Sequence, residues 1–126
     1  MDYYDRDIPD TKDSILLTIK QLLGVYPVLT NDAFDTDLII HINSVFSILH
    51  QLGIGPSEGF AIKDYTDLWT DFLSDSTQLE FVKSYMYAKV KKLFDPPTSA
   101  SLMNSLDSLI NEFEWRENVA VDPEQW

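Results

Sequence analysis

Two adjacent prolines, Pro96 and Pro97, break a long run of helical spacing and sharply limit the topologies open to this chain. Pro96 donates no backbone hydrogen bond, and Pro97 pushes the residue before it towards extended geometry, so a helix arriving from the N-terminal side ends near Phe94 or Asp95. Before the break, Leu79, Val82, Met86, Val90 and Leu93 fall on one helical stripe. After it, Leu102, Leu106, Leu109, Ile110 and Phe113 form another, and Thr98 or Ser99 is placed to cap it. A connection of about four residues normally returns a chain antiparallel to itself, so the two segments are predicted to pack as a helical hairpin. Lys89, Lys91 and Lys92 fall near the end of the first, where the helix dipole favours positive charge.

The rest of the chain is also helical in spacing. Ile15, Leu16, Ile19, Leu22 and Leu23 keep one face between a cap at Asp13 or Ser14 and a terminator at Gly24. Leu38, Ile39, Ile42, Val45, Phe46, Leu49 and Leu52 follow at steps of three and four, after the acidic lead DAFDTD and before Gly53. The segment GIGPSEGFAIKDY reads as the longest loop, with Phe60 to Ile62 short enough for an extended turn or an edge strand. Thr66 or Asp67 is a candidate cap for a short helix carrying Leu68, Trp69, Phe72 and Leu73, and Asp75 with Gln78 resembles a capping box at the start of the Leu79 stripe. The predicted fold is all-α: a small bundle of about five helices with a C-terminal antiparallel hairpin and a short extended tail. A chain of 126 residues fits one domain. Residues 1–12 read as an acidic leader, 13–118 as the helical core, and 119–126 as an extended tail broken at Asp122-Pro123.

Charge narrows the functional classes. Nine basic residues against twenty-one acidic give a net charge of −12, which repels nucleic acid phosphates and anionic membrane surfaces alike. Cysteine is absent, removing disulfides, thiolate zinc sites and cysteine nucleophiles together. No basic-then-apolar leader and no apolar run of about 20 residues is readable, so a soluble protein made in the cytoplasm is expected. His41 and His50 are nine residues apart on one helix, about 180° apart around its axis, and cannot share a metal or a proton there. No G-x-S-x-G elbow occurs, GIGPSEG carries Glu58 where a dinucleotide loop needs its third glycine, and the acidic runs lack the spacing of a calcium loop. No catalytic, cofactor-binding or metal-ligating residue is assigned, and the chain is not expected to be an enzyme.

The aromatic residues carry more information. Trp69 shares a stripe with Phe72 and Leu73 and reads as a core anchor. Tyr85 and Tyr87 flank the main stripe of the Leu79 helix beside Lys91 and Lys92, a combination suited to a protein interface. Trp115-Arg116, beyond the last core position, and Trp126 at the end are the positions a core explains least, and exposed Trp and Arg are common interface anchors.

In order, the chain shows a short leader helix, a long apolar helix ending in LGIGP, the pattern F-x-I-x-D-Y-x-x-L-W-x-D-F-L, and then VKSYMYAKVKKLFDPPTSASLMNSLDSLINEFEWR. This succession resembles the small head-to-tail connector proteins of tailed bacteriophages, from about Ile15 to Pro123. The resemblance implies an all-helical adaptor in the virion, made in the host bacterial cytoplasm, that forms a ring of about twelve copies beneath the portal protein. Such a ring extends the DNA channel, lets DNA pass without specific binding, and docks a stopper or tail-completion protein. The family is structural, so the resemblance brings no catalytic residues with it. A competing expectation is an acidic DNA mimic that inhibits a host nuclease or DNA-binding protein, although a mimic needs carboxylates in phosphate-like rows and these gather at helix starts and loops.

Overall fold

A computed structural model describes residues 13–121, with side chains as far as Glu117. The helices are α1 (Ile15–Leu23), α2 (Asp35–Gln51), α3 (Trp69–Phe72), α4 (Ser76–Phe94) and α5 (Ala100–Val121). The acidic leader, the residues after Val121 and therefore Trp126 lie outside the described residues.

Local chemistry sets most of the boundaries. Ser14 caps α1: its Oγ accepts a hydrogen bond from Leu17 N at 3.2 Å and donates to the Tyr65 carbonyl at 2.7 Å, tying the helix start to the long loop. Gly24 ends α1 in the left-handed conformation with φ 81°. Asp75 caps α4 by accepting from the backbone of Thr77 and Gln78 at 3.0 and 3.1 Å. The expected reciprocal arm of that box is absent, because the Gln78 amide turns across to Glu117 at 3.4 Å. Ser99 Oγ accepts from Leu102 N and starts α5 directly after the proline corner.

Two expectations are corrected and one is narrowed. The short third helix is capped at Leu68, whose N–H donates to Asp71 Oδ2 at 3.2 Å. Asp67 is occupied elsewhere, accepting from Lys63 N at 2.7 Å and Asp64 N at 3.2 Å to close the turn before it. Of the extended turn and the edge strand open to Phe60 to Ile62, the strand does not form; the Asn43 side chain pairs both backbone groups of Ile62, at 2.7 and 3.0 Å, and so serves where a strand partner would. The only bridge of strand type among the described residues joins Ser14 to Leu68. Finally, α5 runs to Val121, past the core boundary placed at residue 118, because no glycine or proline intervenes before Pro123.

The core gathers on α4. Ile15, Leu16 and Ile19 of α1 and Leu38, Ile42, Val45, Phe46 and Leu49 of α2 pack with Leu79, Val82, Met86 and Val90, while Trp69 and Phe72 close the loop side. Phe46, Phe60 and Phe72 meet with ring centroids 4.8 to 5.3 Å apart. The Phe72 ring fills the space beside Gly55, where φ is 93° and a Cβ would lie 2.3 Å from Phe72 Cε1. Lys20 is wholly buried, its ammonium donating to the Asn31 carbonyl at 2.7 Å and forming an ion pair with Asp35 at 2.8 Å that pins the start of α2 to α1.

Helix α5 packs chiefly on α4. A helix with one helical neighbour buries a narrow strip, here Leu106, Ile110 and Phe113. This is why Leu102 and Leu109, expected in the buried face, are exposed; Leu93, in the last turn of α4, and Leu22, at the edge of the α1 stripe, are exposed as well.

Candidate assembly surface

The hairpin of α4 and α5 holds most of the residues that the sequence marks for partner contact. Its inner seam is partly polar. Tyr85 stacks on Phe113 with centroids 4.3 Å apart and planes 17° from parallel, and its hydroxyl donates to Glu114 at 2.6 Å. Lys89 reaches the same carboxylate at 3.7 Å, and Lys92 pairs with Asp107. Burial, then the hydrogen bond to Glu114, then that carboxylate's negative charge hold the Tyr85 phenol well above its ordinary range, so it stays protonated as the donor.

The candidate interface residues therefore divide. Tyr85, expected to flank the main stripe as an interface candidate, has 0% exposure and lies in the seam of the folded chain; its side of α4 faces α5, which the spacing of α4 alone does not show. Tyr87 is half-buried against the core. Lys91 pairs with Asp95 at 2.8 Å one turn away, and Arg116 with Glu112 at 2.8 Å. Trp115 is the side chain that most resembles a free anchor, 66% exposed near the end of α5. It is joined by residues to which spacing gave no interface role: Phe81 of α4, 55% exposed, with Leu93, Leu102 and Leu109. Sequence alone places such leucines in a core, because only the number of neighbouring helices decides how wide a buried stripe can be.

Two open grooves flank α5. One, of about 380 Å³, lies between Phe81 and Ser84 of α4 and Leu109, Phe113 and Arg116 of α5. The other, of about 280 Å³, lies between Ile48 of α2, Leu93 of α4 and Ile110 of α5, with Lys89 and Lys92 at its rim. No group of three or more His, Cys, Asp or Glu placed to hold a metal occurs among the described residues. No helix among those residues is long and apolar enough to cross a membrane.

The charge is distributed unevenly. All seven basic side chains among the described residues, including Lys83 with Glu80 and Lys63 with Asp67, have a carboxylate partner within the chain. The hairpin is nearly neutral, with five basic and six acidic residues over 76–117. Residues 13–75 carry two basic and nine acidic. Such a molecule offers an acidic body and one nearly neutral, partly apolar hairpin on which another surface can settle.

No curated relative and no solved structure matches this chain. A family model described as phage connector protein matches residues 15–124, which takes in all of α1 to α5 and the proline corner. With that match spanning the whole helical core, the chain belongs to the phage connector protein family.

Proposed function

We propose that this connector forms a ring of about twelve copies beneath the portal protein, where it continues the DNA channel and docks a stopper or tail-completion protein. The observation that carries the reading, beyond family membership, is the pairing of every described cation inside the chain. Passing DNA meets acidic or neutral side chains, so it slides without adhering. The role is structural: the protein positions other components, requires no cofactor and performs no chemistry. Its place is the head–tail interface of the virion, after synthesis in the bacterial cytoplasm.

Mixing the purified protein with its cognate portal and imaging the product by electron microscopy tests the proposal. The expected result is a second ring stacked coaxially on the portal. Tight binding to a nuclease with no portal association would instead assign the protein as an acidic DNA mimic.

A further inference from the structure

We infer that Trp115 of one copy seats in the groove between α2, α4 and α5 of the next, so that the contact between copies joins two different faces of the chain. The inference rests on the ring reading above and names the surfaces that carry it.

The knob is set by helix geometry. At 100° per residue, Trp115 lies roughly half a turn from the buried strip of Leu106, Ile110 and Phe113 and faces away from α4. Ser101, Asn104, Ser108 and Asn111 share its face, and all are exposed. On a chain carrying −12, this helix therefore presents an outer face without a single charge and with one large aromatic side chain near its end. A second copy can approach such a face without the like-charge repulsion that the acidic body imposes. An indole left in water by the monomer is the kind of side chain that anchors an interface.

The socket is chosen by shape and sign. The groove floored by Ile48 and Ile110 and walled by the half-exposed Leu93 is apolar and large enough for an aromatic ring. Lys89 and Lys92 stand at its rim, paired within the chain with Glu114 and Asp107, so this edge is neutralised rather than acidic and an indole can enter it without meeting uncompensated charge. The groove on the other flank of α5 is bordered by Glu112, Arg116 and Glu117; Arg116 offsets Glu112, and the remaining carboxylate leaves this groove net negative and the less favourable seat for a copy of the same acidic chain. The knob on the outer face of α5 and the socket on its flank point in different directions and cannot meet within one molecule. Contacts of this unlike kind propagate around an axis and close into a ring, whereas a like-to-like contact stops at a dimer.

The absence of cysteine makes a direct test available. Asn111→Cys lies one turn before Trp115, and Ser44→Cys lies at the edge of the groove. The two single variants are assembled separately and as a mixture, with wild-type protein on portal as the control for ring formation. Under mild oxidation the mixture should yield a cross-linked pair containing one of each, and each variant alone should yield at least tenfold less. Trp115→Ala and Leu93→Glu, both surface changes checked by circular dichroism, should raise the protein concentration needed for assembly roughly tenfold or more. Cross-linking of N111C with itself, or rings of W115A that form as readily as wild type, overturns the inference and leaves the ring reading standing. Intact W115A rings that no longer hold the portal also overturn it, assigning Trp115 to the portal contact. Failure of the wild-type chain to form a ring under any condition removes both readings.

Discussion

Single residues show where this small fold has no slack. Gly55 combines a left-handed φ with a phenyl ring in the space where a side chain would go, whereas Gly59 has the same φ and open surroundings. Gly59→Ala is expected to cost about 1–2 kcal/mol from backbone strain alone, and Gly55→Ala about 2–4 kcal/mol as overpacking against Phe72 is added. Urea denaturation of the two variants measures the difference, and equal midpoints would contradict the packing argument. Tyr85 makes a second prediction, about pH. Its phenol has a folded-state pKa above the unfolded value near 10, so the stability it contributes is complete below pH 10 and is lost as pH rises beyond it. Tyr85→Phe should lower stability by about 1–2 kcal/mol at pH 7 through loss of the bond to Glu114. The variant should also show a shallower decline than wild type between pH 10 and 11.5, as followed by circular dichroism.

At the scale of elements, α5 stands apart. The other long helices share a core in which α4 touches α1 and α2, but α5 leans chiefly on α4 and is fixed by three apolar residues and a few polar pairs. Local opening should follow this order. In hydrogen exchange the amides of 104–117 are expected to exchange faster than those of 42–49 or 82–90, at a pH where the chain is folded. Phe113→Ala should widen the gap and destabilise the hairpin by about 3 kcal/mol while leaving α2 protected, since the stacked partner of Tyr85 is removed without touching the α1–α2 core. Loss of protection throughout the chain at once would show that α5 folds as one unit with the rest.

For the whole molecule, net acidity governs association. Every described cation is already paired at home, so neighbouring copies have no spare positive charge with which to offset acid facing acid. Screening then favours assembly: raising the ionic strength from 0.05 to 0.5 M, roughly a threefold shortening of the Debye length, is expected to strengthen self-association at least tenfold by sedimentation velocity. Weakening with salt would mean that ion pairs between copies dominate instead. The same acidity keeps DNA from adhering, so a fluorescent duplex should show no saturable binding at 0.05 M salt.

What the sequence by itself determined was the secondary structure and its punctuation. Steps of three and four between apolar residues, Ser14, Asp75 and Ser99 as caps, Gly24 as a stop and Pro96-Pro97 as a corner are local features, fixed by backbone sterics and hydrogen bonding within one or two turns. The likeness to phage connectors was legible for the same reason, since it rests on the order of such elements. What the tertiary structure decided was which side of each stripe meets a neighbour. Tyr85 went inside because α5 covers it, Leu93, Leu102 and Leu109 stayed outside because nothing covers them, and Lys20 was buried because Asp35 and the Asn31 carbonyl arrive from a different segment to meet it. Burial depends on how many elements converge at a point in space, and periodicity along one helix carries no record of that number.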